Sequence, residues 1–253
     1  MSSKHNFYRG IAVEHSIIDA LDNHRYGELS PHWRRMIRFM FGDVDLNTFV
    51  YAKSCDLYGK PDIEIDVKGQ LHYLSVKSGE AKAVHSERIN VFSDWLKNNS
   101  VDENIIKDYQ LYHFGDATLD GKGERRMGHQ EVMTHFSQQI ADFNESFRTN
   151  KEVAWKFVER VVFNGNNPML PGADFLYHGD AAEGVICSKE QVRRFVFKKP
   201  FSYFINPHVA MLQLHPAARY TSGIEKDPEK RYIVEVSWPN MKKDISFIGV
   251  YMR

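Results

Sequence analysis

Cysteine is nearly absent: two residues in 253, Cys55 and Cys187, stand far apart and outside any metal-ligand spacing, which excludes a disulfide framework and a zinc cluster. A reducing, cytoplasmic setting is the expectation. No charge of either sign is in excess, with 33 Lys and Arg against 33 Asp and Glu, so any site for a polyanion must be local rather than a global field. Long apolar runs are missing too: nothing approaches the roughly 18 consecutive apolar residues of a membrane span, and no apolar segment follows the opening MSSKHNFYRG. A membrane partner is therefore not expected. No G-x-S-x-G, P-loop or dinucleotide-binding glycine motif occurs, which argues against serine hydrolases and nucleotide-dependent enzymes. The 12 histidines are scattered; the most suggestive His-Asp pair, in Tyr177-His178-Gly179-Asp180, has no partner such as H-E-x-x-H and reads as structural. What is present is ordinary globular composition, 42% hydrophobic and 26% charged, without repeats, low-complexity runs or a long linker.

Periodicity gives the elements. Ile11, Ile17, Ile18 and Leu21 share a helical face within 8–23, with Glu14 set among them rather than opposite. A second helix over 30–41 has Ser30 as N-cap, Pro31 at its first position, Trp33, Ile37 and Met40 or Phe41 inward, and Arg34, Arg35 and Arg38 on its basic side. Ile63, Ile65 and Val67 alternate with Glu64 and Asp66, Lys68-Gly69-Gln70 makes a turn, and 71–77 alternates again. That is a β-hairpin, with Asp62 at the start of one strand and Lys77 at the end of the other. Helices are predicted over 86–97 and 101–112, a mobile loop over 115–128, one long helix carrying Val132, Phe136, Ile140, Phe143 and Phe147, and another over 151–163. Beyond Gly165-Asn166-Asn167-Pro168 the pattern turns to strands, at 173–177, 184–187, 208–214 and 232–236, with one helix around 189–195. The fold class predicted is α+β, a single domain over 1–253: a core mainly over 8–112, a helical region over 128–163 and a sheet-containing C-terminal lobe over about 170–253.

The hairpin carries the chemistry. A carboxylate and an ammonium brought together at its open end suit phosphodiester hydrolysis: Asp62 can hold a hard cation through oxygen while Lys77 orients a phosphate or its attacking water. The backbone carbonyl of Val76 would add a ligand. Glu14 would add a second carboxylate if the first helix packs beside the hairpin. Taken alone, Pro-Asp before a strand is also a common turn, and a lysine at a strand end is often merely solvated.

Pro61-Asp62 followed by Ser75-Val76-Lys77 resembles the hairpin of the PD-(D/E)xK nucleases, with Ser75 where that motif usually has an acid. The likeness is closest to type II restriction endonucleases that cut four-base palindromes, the MspI-like and GCGC-cutting group, where that acid is replaced by Asn or Gln. Further segments similar to the GCGC-cutting members follow in the same order: 10–14 with Ile18 and Asn23, 60–63, Val76-Lys77, Asn90 with Trp95-Leu96, 113–115 with 125–127, and 172–175. The resemblance implies a restriction-endonuclease-like core, a central mixed sheet flanked by helices, and a Mg²⁺-dependent endonuclease acting on double-stranded DNA at a short palindromic site, with Mn²⁺ as a substitute metal. It makes Glu14, Asp62 and Lys77 the catalytic set and Ser75 its degenerate fourth member, with Asp62, Glu14 and the Val76 carbonyl around the metal. A separately encoded cognate DNA methyltransferase and a monomer or homodimer complete the expectation. Ser75 is a poor ligand for Mg²⁺, which leaves two alternatives open: a nuclease of repair or defence without sequence preference, and an inactive DNA-binding module on the same fold.

With no net charge, phosphate contacts are expected from clusters: Arg34, Arg35 and Arg38; Lys122, Arg125 and Arg126; Arg193, Arg194, Lys198 and Lys199. Each is equally readable as a solvated face. Base reading is assigned to Asn90 and to Gln213, His215 and Arg219, polar residues expected in a segment between the last strands.

Overall fold

The computed structural model describes residues 3–55, 59–79, 82–199, 201, 205–217 and 228–252. In chain order its elements begin with α1 (Ser3–Leu21), β1 (His24–Arg25), α2 (Pro31–Phe41), β2 (Phe49–Ser54), β3 (Ile63–Val67), β4 (Gln70–Lys77) and β5 (Ala83–Arg88). Then come α3 (Ile89–Asn98), α4 (Glu103–Phe114), α5 (His129–His135), α6 (Ser137–Thr149) and α7 (Lys151–Val158), which runs on as a π-helical turn over Glu159–Asn164. The remainder is β6 (Phe175–Gly179), β7 (Gly184–Ser188), α8 (Lys189–Lys198), β8 (His208–Val209), β9 (Leu212–Pro216), β10 (Ile233–Ser237), α9 (Met241–Ile248) and β11 (Val250–Met252). Among the described residues no helix is long and apolar enough to cross a membrane.

Two compact units are formed. The first combines Met1–Ala81, Glu159–Phe195 and Asn240–Arg253; the second combines Lys82–Val158 and Val196–Pro239. The stretch 8–112 thus contributes to both.

Among the described residues, the first unit holds a mixed sheet in the order β1-β2-β3-β4-β6-β7-β11. The β3–β4 hairpin turns through Lys68 and Gly69, both at positive φ (56° and 80°), the two-residue geometry whose twist matches antiparallel strands. Asp66 pins that turn by accepting from the Gly69 N–H at 2.7 Å. Alternation then sorts the side chains: Ile63, Ile65, Val67, Leu74, Val76, Phe175, Tyr177 and Ile186 face a core closed by Ile17 and Leu21 of α1 and by Trp33, Met36, Ile37 and Met40 of α2. Ser30 caps α2 through the Trp33 N–H, with Pro31 in the first turn, as its sequence predicts. β4 and β6 run parallel, and Asp174 docks them: its carboxylate accepts from the Tyr73 N–H at 3.0 Å while its own N–H donates to the Tyr73 carbonyl at 2.8 Å.

The second unit packs α3, α4, α6 and α7 through an aromatic core in which Phe92, Tyr109, Phe143 and Phe147 contact in sequence at centroid distances of 5.0 Å. Its strands form a sheet in the order β5-β10-β9-β8.

Several elements differ from the sequence pattern. Residues 86–88, predicted to open a helix, belong to β5, which pairs with β10 from Ile233↔Arg88 onward, a partner far away in sequence. The long helix through Phe147 is interrupted at Phe136 (φ −108°, ψ 28°), which is nonetheless buried, so the apolar period runs through the break. The single strand over 208–214 is a tight hairpin, β8 and β9, turning at Ala210 with φ 52°. The sequence pattern does not announce β1, β2, α9 or β11; α9 is short, and its helical period rests on Met241, Asp244 and Ile245, one of them charged.

Candidate active site

The first unit brings Glu14, Asp62, Ser75, Val76 and Lys77 together at the open end of the hairpin. Asp62 immediately precedes β3; its N–H donates to the Leu74 carbonyl (2.9 Å) and its carbonyl accepts from the Cys55 N–H (3.0 Å), so its backbone is fixed on both sides. Its carboxylate is fixed too. Oδ2 accepts from the Val76 N–H at 2.6 Å and from the Ser75 hydroxyl at 3.2 Å. Ser75 is fully buried, so its hydroxyl holds Asp62 and does not meet solvent. The Lys77 ammonium lies 3.8 Å from the same Asp62 oxygen and donates to the Val76 carbonyl at 3.1 Å. It thus rests against two of the three oxygen donors that a metal would use.

Glu14, half-buried on α1, interacts electrostatically with both groups. Burial first, and the negative charge of Asp62 second, push its carboxyl above the ordinary range, against the pull of Lys77 and His15. Two carboxylates that repel each other beside a lysine are a site short of positive charge. The donor set, two carboxylates and a carbonyl, is all oxygen, which fits Mg²⁺, an ion commonly held by one or two carboxylates with waters and phosphate oxygens filling the rest. Among the described residues no group of three or more His, Cys, Asp or Glu is placed to hold a metal ion, so a metal here would depend on the two carboxylates, the Val76 carbonyl and non-protein oxygens.

Parallel pairing adds a residue that spacing alone did not place here. His178 of β6 stands in register with Lys77, on the same face of the sheet, and is largely buried. The sequence shows only a His-Asp pair, because nothing local announces which strand β6 will join.

Of the expected DNA contacts, Arg34, Arg35, Arg38, Arg193 and Arg194 lie in the first unit, and Asn90, Lys122, Arg125, Arg126, Lys198, Lys199, Gln213 and His215 in the second. Asn90 is exposed in the first turn of α3. Lys122 and Arg125 are exposed and engaged by Asp120 and Glu131, each at 2.9 Å. Arg126 corrects the expectation of a phosphate contact: it is buried at 9% exposure and its guanidinium donates to the carbonyls of Phe114 (3.0 Å) and His113 (3.3 Å), bracing the segment after α4. Gln213 and His215 sit within β9 rather than in a loop, half-buried on one face of that strand, with His215 3.3 Å from Glu235. Arg219 lies outside the described residues.

No protein-family model matches the chain, and no curated protein matches it in sequence. Among solved structures it is similar to a crystal structure of restriction endonuclease MspI in complex with its cognate DNA, with a TM-score of 0.52 over 93% of this chain and 91% of that one, at 12% sequence identity. A likeness of that extent at so low an identity speaks to architecture rather than to chemistry. The chain therefore has the restriction-endonuclease-like α+β fold, a central mixed sheet flanked by helices with a second, smaller sheet.

Proposed function

We propose that the protein is a Mg²⁺-dependent endonuclease that hydrolyses phosphodiester bonds of double-stranded DNA at a short palindromic site. The observation that carries this reading is the pair of Asp62 and Lys77, 3.8 Å apart at the end of one hairpin, in a fold shared with a DNA-bound restriction enzyme. Asp62, Glu14 and the Val76 carbonyl would hold the metal, with Mn²⁺ able to replace it. Bound there, the ion would polarise a phosphoryl oxygen and activate a water. Lys77, released from the Val76 carbonyl, orients the phosphate and the attacking water. Ser75 and the Val76 N–H keep the Asp62 carboxylate aimed. Lys122, Arg125, Asn90, Gln213 and His215 are the side chains proposed to meet DNA, and a methyltransferase protecting the same site would accompany a restriction enzyme.

Incubation of the protein with plasmid, with and without Mg²⁺, beside Lys77→Ala tests the reading. Discrete fragments that need both metal and Lys77 are expected. A smear points to a nuclease without sequence preference. DNA binding with no cleavage in Mg²⁺ or Mn²⁺ overturns the reading in favour of an inactive binding module, which the neutral, buried Ser75 in the place of an acid would explain.

A further inference from the structure

The catalytic face of the sheet does not end at Lys77. Lys77 is in register with His178, His178 with Val185, and Val185 with Tyr251, so one row of side chains crosses β4, β6, β7 and β11 on the same face. At about 4.8 Å per strand, the row carries the site roughly 10 to 15 Å beyond the lysine. A cavity of about 310 Å³ lies along it, lined by His178, Val185 and Tyr251, by Ser78 just after the catalytic lysine, and by Lys242 and Ser246 one turn apart on α9. Val13, next to Glu14, lines it too. The volume sits at the small end of ligand pockets.

Its charge is mixed. Lys242 supplies a cation and two serine hydroxyls supply donors, but Asp180 and Glu183 also line the cavity. Asp180 is committed to its own loop, accepting from the N–H groups of Ala182 (2.8 Å) and Glu183 (3.1 Å). Glu183 remains as an acceptor, which disfavours a bare anion and favours a ligand with an anionic end and an amine-bearing end. A nucleotide with an exocyclic amine on its base has both.

We propose that this cavity is a mononucleotide subsite taking a nucleotide of the substrate strand next to the scissile phosphate, with Lys242 and Ser246 on the phosphate and Glu183 accepting from the amine of dA, dC or dG. The proposal rests on the endonuclease reading for its substrate, while the binding site itself is tested without cleavage.

Calorimetric titration of the full chain in EDTA with deoxycytidine monophosphate, thymidine monophosphate and inorganic phosphate gives the test. Deoxycytidine monophosphate is expected to bind at least tenfold more tightly than the other two, Lys242→Ala to weaken it about tenfold, and Glu183→Gln to erase the preference over thymidine monophosphate while keeping phosphate affinity. Equal binding of both nucleotides, or affinity unchanged in Lys242→Ala with Glu183→Gln also silent, overturns the subsite. In a cleavage assay the free nucleotide should raise KM without lowering kcat; inhibition through kcat alone would make it an effector site and refute the substrate assignment. Cleavage without nucleotide binding removes the subsite only, and Lys242-dependent binding in a protein that never cuts DNA removes the endonuclease reading while leaving the cavity a nucleotide site.

Discussion

Asp62→Asn separates the carboxylate's charge from its shape. The amide keeps one oxygen to accept from the Val76 N–H and the Ser75 hydroxyl, now 2.6 and 3.2 Å from Oδ2. Hydrogen bonds to a charged group contribute about 1.5–3 kcal/mol and neutral ones about 0.5–1.5, so the change weakens the two bonds without abolishing them. The ion pair with Lys77 is long and partly open to water, adding at most about 1 kcal/mol. Against these stands relief of the repulsion between Asp62 and Glu14. The net loss of stability should be about 1–2 kcal/mol, which leaves the protein folded. Catalysis should suffer far more. Losing the charged ligand removes about 4 kcal/mol of transition-state stabilisation, roughly a thousandfold in rate. Two assays check this: plasmid cleavage, and the thermal shift on adding Mg²⁺. For the wild type at a hundredfold excess over Kd the cation should contribute about 2.7 kcal/mol, a shift of roughly 5–10 °C at about 2–4 °C per kcal/mol. Asp62→Asn should lose most of it. Cleavage within about tenfold of wild type, or an undiminished Mg²⁺ shift, would refute the role given to Asp62.

Ser75→Asp should lower stability in EDTA by about 3 kcal/mol, because two carboxylates at hydrogen-bond distance in a buried site cannot both ionise, and Mg²⁺ should recover most of the loss; chemical denaturation with and without the metal reads both. Ser75→Ala should cost only about 1 kcal/mol by the same measurement. Arg126→Ala should destabilise by about 3 kcal/mol through loss of its buried carbonyl contacts, leaving the salt slope of DNA binding unchanged, whereas Lys122→Ala with Arg125→Ala should spare stability and reduce that slope by about two. Burial holds His208 below the ordinary histidine range of 6.5, although its ring nitrogens face the Asn206 and Phe201 carbonyls. As pH falls below 6.5 the unfolded chain protonates first, so stability should decline until the folded imidazole titrates too. Denaturation midpoints at pH 7.5 and 5.5 should therefore differ less in His208→Gln than in wild type. The Cys187 thiol, fully buried and pushed up to about 12, should resist alkylation until β7 unfolds, while Cys55 reacts in the native protein.

How far the sequence could be read follows from where each signal resides. The hairpin is local in every respect: alternation, a Gly-containing turn and a Pro-Asp entry lie within 17 residues, so Asp62 and Lys77 fall at the same end of the hairpin without any long-range contact to bring them there. Ser30 and Pro31 announced α2 for the same reason. The failures are non-local. β5 looks like the start of a helix because its partner lies in β10, and no pattern in 83–88 encodes that pairing. His178 reads as half of an isolated His-Asp pair because its significance comes from parallel pairing with β4, which Asp174 secures from outside the hairpin. Arg126 fails differently. Side by side with Arg125 in a glycine-rich, charged segment it has the same appearance as its neighbour, yet one guanidinium is solvated and the other is spent on the carbonyls that end α4. Charge in a sequence says how many cations a segment holds, not which of them has backbone acceptors within reach. The electrostatic part of the site is also the part that most needs coordinates: the shift in Glu14 arises from burial and from a carboxylate 48 positions away, and only the packing of α1 against β2 and β4 sets both.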